Sequence, residues 1–149
     1  MSAASIAAVL TLAVPSVAQL AKTTTIHVAP SSGTTATKFV VSFTAPETTG
    51  QILTVVRRNR LTASAPSSAP AHGCVRSVST GLPASVAGTR VSVTLNPARL
   101  GGRRWCKGIW KGTITSTQGP YCPTGQLCPQ YLTYRGVVGR FTFRVRAAK

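Results

Sequence analysis

The chain has 149 residues, and its seventeen lysines and arginines face one acidic side chain, Glu47, for a formal net charge of +16. A single carboxylate excludes the paired-carboxylate sites of glycosidases and aspartic proteases, and it leaves Glu47 as the only possible acid of a triad. With no G-x-S-x-G elbow and no phosphate-cradling glycine loop either, the sequence reads as a non-enzyme, with no cofactor and no bound metal expected.

In chain order, the first feature is an apolar run from Ile6 to Val14, ended by Pro15 and followed by the small residues Ser16, Val17 and Ala18. This reads as a secretory signal peptide over residues 1–18, although no Lys or Arg precedes Lys22. The run is too short for a membrane span, which needs about 20 apolar residues, and no later segment supplies one. The expected product is a single domain over residues 19–149, secreted or held at the cell surface.

From there the apolar pattern has a period of two. Phe39, Val41 and Phe43 alternate with Val40 and Ser42, Val91, Val93 and Leu95 with Arg90, Ser92 and Thr94, and Phe141, Phe143 and Val145 with Arg140, Thr142 and Arg144. These are half-buried strands. Further strands are expected at Thr23–Ala29, Gln51–Arg58, Trp105–Ser116 and Leu132–Arg135, with a weaker one around Val75–Val78. Turn chemistry lies at Pro30–Gly33, Thr48–Gly50 and Gly119–Pro120. The Ala, Ser and Pro-rich stretch 61–73 shows no alternation and reads as a loose loop. Short strands separated by such turns predict an all-β sandwich.

Four cysteines in an exported chain predict two disulfides. Of the three connectivities, Cys74–Cys106 with Cys122–Cys128 is favoured, because the second pair flanks the turn-like segment of YCPTGQLC. Zinc held by Cys74 and His72 is the competing use, and the wide Cys122 to Cys128 spacing argues against it.

Strand parity assigns faces. If Cys106 points inward, then Gly108, Trp110, Gly112 and Ile114 do so too, while Lys107 and Lys111 face solvent. Trp110 then reads as a core plug, and Trp105 falls on the outer face beside Lys107, a candidate stacking platform. Arg140, Arg144 and Arg146 face solvent on the last strand. Should these strands share a sheet, Lys107, Lys111, Arg140, Arg144 and Arg146 form one cationic face that Arg103 and Arg104 extend, whereas Arg57, Arg58 and Arg60 need not join it. A solvated face, or charges that block edge pairing, is the competing explanation.

The Pro30–Gly33 turn after a first strand, the alternating Phe39–Phe43, the Val91–Pro97 segment, the WCKGIW motif and the closing Gly139–Val145 resemble secreted bacterial immunoglobulin-like β-sandwich domains. The antibody-type pattern is not met, since Trp105 abuts Cys106 and Arg104 stands where a tyrosine corner has Tyr. The resemblance covers most of the mature chain and implies a single immunoglobulin-like antiparallel β-sandwich, an architecture used for adhesion, scaffolding and carbohydrate or protein binding. It carries over no site residues.

The charge points to anionic partners through a long-range field that salt weakens. An anionic cell-envelope polymer or acidic polysaccharide is the leading expectation. Extracellular nucleic acid is an alternative, for which Trp105, Tyr131 and Tyr134 are the candidate stacking rings. A purely structural or protein-docking module is the third reading.

Overall fold

The computed structural model of the chain describes residues 24–46, 55–69, 73–102, 104–120 and 134–148. The 1–18 leader, Glu47, His72, Arg103, Tyr131, and Cys122 with Cys128 lie outside the described residues. The strands are β1 (His27–Ala29), β2 (Ser32–Thr34), β3 (Phe39–Thr44), β4 (Val55–Ser64), β5 (Ser77–Gly81), β6 (Arg90–Leu95), β7 (Gly108–Pro120) and β8 (Tyr134–Arg146). Among the described residues one 3-10 turn covers Pro97–Arg99, capped by the Asn96 side chain, which accepts from the Ala98 N–H. The described chain is all-β, and none of its helices is long and apolar enough to cross a membrane.

Two sheets form, one of three strands in the order β1-β3-β6 and one of five in the order β2-β8-β7-β4-β5. Neighbours are antiparallel except β2 and β8, which run parallel. The chain leaves the first sheet for the second at the cis Ala29–Pro30 peptide. The expected Pro30–Gly33 turn is therefore shorter than its composition suggested, because Ser32 and Gly33 already pair with β8.

Alternation decides what each sheet buries. β3 sends Phe39, Val41 and Phe43 inward, β6 Val91 and Leu95, β7 Trp110 and Ile114, and β8 Phe141, Phe143 and Val145, all in one hydrophobic cluster. Phe39 and Phe143 meet across the sheets with ring centroids 4.3 Å apart, and Trp110 stacks on Phe143 at 5.4 Å. Each such buried ring contributes about 2–3 kcal/mol of transfer free energy. Gly112, opposite Phe141 in the β7–β8 ladder, leaves room for that ring: a Cβ there would sit 2.1 Å from Phe141 Cζ. Gly112→Ala is expected to cost about 1–3 kcal/mol in urea unfolding, the range for overpacking a core.

Three expectations need correction. Residues 61–73 are not a loose loop throughout, because Leu61–Ser64 complete β4, with Leu61 and Ala63 buried and paired to Ile114 and Gly112. Alanine is too small to mark an inward position by hydrophobicity alone. Ala65 and Ala69 continue the order, the Ala65 N–H donating to the Arg76 carbonyl and the Ala69 N–H to the Pro66 carbonyl. Tyr134 and Arg135 of the expected 132–135 strand and the whole of the expected 141–145 strand belong to one strand, β8. It passes its glycines by a bulge: Gly139 pairs with Ile114 and Val137 with Thr115, leaving Val138 extra and buried.

The third correction concerns Trp105. It is fully buried, not on the outer face. β7 begins only at Gly108, whose φ of 132° interrupts the alternation counted back from Trp110. Trp105 instead bridges to Val75 in parallel, its backbone N–H donating to the Thr35 carbonyl and its indole Nε1 to the Thr37 carbonyl, each at 2.7 Å. Consecutive Trp105 and Cys106 both face the core, which a continuous strand forbids.

Cys74 and Cys106 form a disulfide with a Cα separation of 5.0 Å across 32 residues of chain. Loop closure of that length contributes about 4 kcal/mol in the chain-entropy account. Both cysteines flank strands of the five-stranded sheet, so the bridge ties the turn after β4 to the entry of β7.

Candidate anion-binding face

The outer surface of the five-stranded sheet is built by the residues that alternate with the core. β8 exposes Arg140, Thr142, Arg144 and Arg146, β7 exposes Ile109 and Lys111, and β4 exposes Arg58, Arg60, Thr62 and Ser64. Strand register places these on common rungs. Arg144 pairs with Ile109 and with Ser32 of β2, and Arg146 with Thr34. Lys111 pairs with Thr142 and Ser64, and Arg140 with Thr113, which in turn pairs with Thr62. Arg60 and Arg58 pair with Thr115 and Thr117.

Counted along β7, exposed cations recur at every second residue in the order Arg144, Lys111, Arg140, Arg60, Arg58, with Arg146 one step before the strand begins, at the level of exposed Lys107. At about 3.3–3.4 Å per residue the step along the strands is about 6.7 Å and the row about 33 Å long, and because neighbouring strands lie about 4.8 Å apart the zigzag opens to about 12 Å between Arg140 and Arg60. The row runs along the strand direction, from β8 through β7 and back to β8, then to β4. Hydroxyls flank it: Thr62, Ser64, Ser77 and Ser79, with Lys111 and Arg140, are among the residues lining a shallow open depression of about 790 Å³. Arg60 is held in the row by donating from Nη1 to Ser79 Oγ at 3.3 Å.

Of the residues singled out from sequence, Lys111, Arg140, Arg144 and Arg146 are brought onto this one face. Lys107 is exposed but precedes β7. Arg104 lies off the row, its Nε donating to the Gly73 carbonyl at 3.1 Å beside the disulfide. Arg58 and Arg60 join the face although the sequence did not place them there. Parity was available from Leu61 and Ala63, but the adjacency of β4 to β7 was not. Their neighbour Arg57 turns inward and is buried, with its Nη1 donating to the Pro46 carbonyl. Burial lowers its pKa from the ordinary guanidinium value. It shares that end of the interior with Asn59 and Ser85, joined by an Asn59 Nδ2 to Ser85 Oγ hydrogen bond of 2.8 Å.

The opposite sheet differs. Its exposed residues on β3 and β6 are Val40, Thr44, Arg90, Ser92 and Thr94, with one cation among them. The basic excess is therefore sided, and no Asp or Glu occurs among the described residues to neutralise it. Every described Phe and Trp ring is buried, so Trp105 offers no stacking surface. Cys74 is committed to its disulfide, and no three His, Cys, Asp or Glu side chains gather among the described residues. No protein-family model, curated protein or solved structure matches the chain.

Proposed function

We propose that this chain is an exported or cell-surface, non-catalytic binding domain whose basic sheet face contacts anionic envelope polymers or acidic polysaccharide. The observation that carries the reading is the unbroken row of cations on one sheet and its absence on the other. Six positive charges at axial steps of about 6.7 Å on three strands about 4.8 Å apart have neighbours about 7–12 Å away, comparable to the Debye length of about 8 Å at physiological salt, and so act as one field. The disulfide and the signal-like leader favour an oxidising compartment outside the cytoplasm.

An immunoglobulin-like sandwich is the architecture we infer. Its support is the strand order: β1-β3-β6 corresponds to strands A, B and E, and β8-β7-β4-β5 to G, F, C and C′, as in variable-type domains. The disulfide departs from that plan, since it does not link the two sheets.

Purified chain is expected to stay on a sulfated-polysaccharide column at about 0.15 M salt and to elute as salt shortens the Debye length toward about 3 Å near 1 M. Passage without retention at the lower salt would remove the proposal.

A further inference from the structure

We propose that the depression on this face seats an acidic sugar unit, with its anionic group between Lys111 and Arg140 and its ring hydroxyls on the serines and threonines of β4 and β5. The inference rests on the polyanion-binding reading and adds the chemical class of the ligand and the side chains that select it. Two successive rungs of the sheet build the site. Across β5, β4, β7 and β8, the outward residues of the first are Ser77, Ser64, Lys111 and Thr142. Those of the second are Ser79, Thr62, Thr113 and Arg140. Every one of these side chains lines the depression.

Charge and hydroxyls are segregated within it. Lys111 and Arg140 stand on adjacent strands one rung apart, so their Cα atoms are about 8 Å from each other and their long side chains converge on a single carboxylate or sulfate. On the other side Thr62, Ser64, Ser77 and Ser79 form a low floor of short hydroxyl side chains. Its borders are the longer Lys111, Arg140 and Arg60, the last bonded from Nη1 to Ser79 Oγ. The hydroxyls of Ser64, Ser77 and Thr142 have no hydrogen-bond partner among the described residues. A bare inorganic anion is satisfied by the two cations and leaves that floor unused. A single-stranded nucleic acid is held by rings that stack its bases, and every described Phe and Trp is buried. A sugar uses both halves, because each ring hydroxyl is donor and acceptor and matches Ser or Thr in either sense.

The test removes hydroxyls and leaves every charge in place. T62V/S64A/S77A alters three exposed positions and keeps Ser79, which holds Arg60. Affinities of the original chain and the variant are measured for oligogalacturonate, whose anion is a carboxylate, for oligocarrageenan, whose anion is a sulfate ester, and for oligoglutamate of equal charge number, which has no hydroxyls. We expect the original chain to prefer one of the two glycans to oligoglutamate, the better glycan identifying the anionic group. The variant should bind that glycan about tenfold more weakly, equivalent to about 1.4 kcal/mol and at the small end for three hydrogen bonds, with oligoglutamate binding unchanged. Equal binding of all three probes by the original chain, an equal fall for glycan and oligoglutamate in the variant, or no fall for the glycan would overturn the sugar site and leave polyanion binding standing. Failure of the original chain to bind any of the three would overturn both proposals.

Discussion

Trp105→Ala is expected to lower the free energy of unfolding by about 3–5 kcal/mol. Its ring is wholly enclosed, edge-on to Trp110 at 5.1 Å and to Phe39 and Phe143 at 6.1 Å each, so it joins β3, β7 and β8. Truncation removes one of the two largest buried side chains together with the donor that satisfies the Thr37 carbonyl. Trp105→Phe retains much of the ring but not that donor, and should cost about 1–3 kcal/mol. Urea unfolding gives both values. An outer-face tryptophan would instead cost no more than about 0.5 kcal/mol, as surface substitutions do, so a loss that small would contradict the core position.

Replacing Lys111, Arg140 and Arg144 together by serine should weaken binding to a single-stranded polyanion about 100-fold. This assigns about 1 kcal/mol to each lost contact, and every 1.4 kcal/mol is tenfold. The salt dependence gives an independent reading. For single strands the slope of log affinity on log salt is about −0.7 per phosphate neutralised. Six rungs predict a slope of about −4, and three predict about −2. All three side chains are exposed, so stability should change little. Titration between about 50 and 200 mM salt resolves the two slopes, and an unchanged slope in the variant would place the contacts elsewhere.

How much of this could be read from the residues depended on whether local alternation was unbroken. β6 and the end of β8 were legible because Val, Leu and Phe alternate there with polar residues over five or more positions, and β3 because Phe39, Val41 and Phe43 recur at every second residue among β-branched and small side chains. The inward positions of Trp110 and Ile114 followed from the same rule. Trp105 did not, because the left-handed glycine at Gly108 resets the alternation and no residue type announces the resulting turn. The end of β4 was hidden by the small side chains of Ala63 and Ser64. β8 was divided by glycines that the strand absorbs in a bulge.

The face itself was half legible. Parity put Lys111, Arg140, Arg144 and Arg146 outward, and the β7–β8 pairing brought them together. That β4 lies on the far side of β7, carrying Arg58 and Arg60 into the same row, is a long-range pairing with no local signature in the chain. The favoured Cys74–Cys106 pairing is present.

The most direct measurement compares two variants of equal charge. K111S/R140S/R144S removes three cations from the row, and K38S/R90S/R99S removes three exposed cations away from it, so each falls from +16 by three to +13. Affinity for one polyanion at one salt concentration is then measured for both. A binding face on the five-stranded sheet predicts a loss of about 100-fold for the first variant and less than about 5-fold for the second, the difference between lost contacts and screened bulk charge. Equal losses would show that net charge, and not the row from Arg146 to Arg58, governs binding.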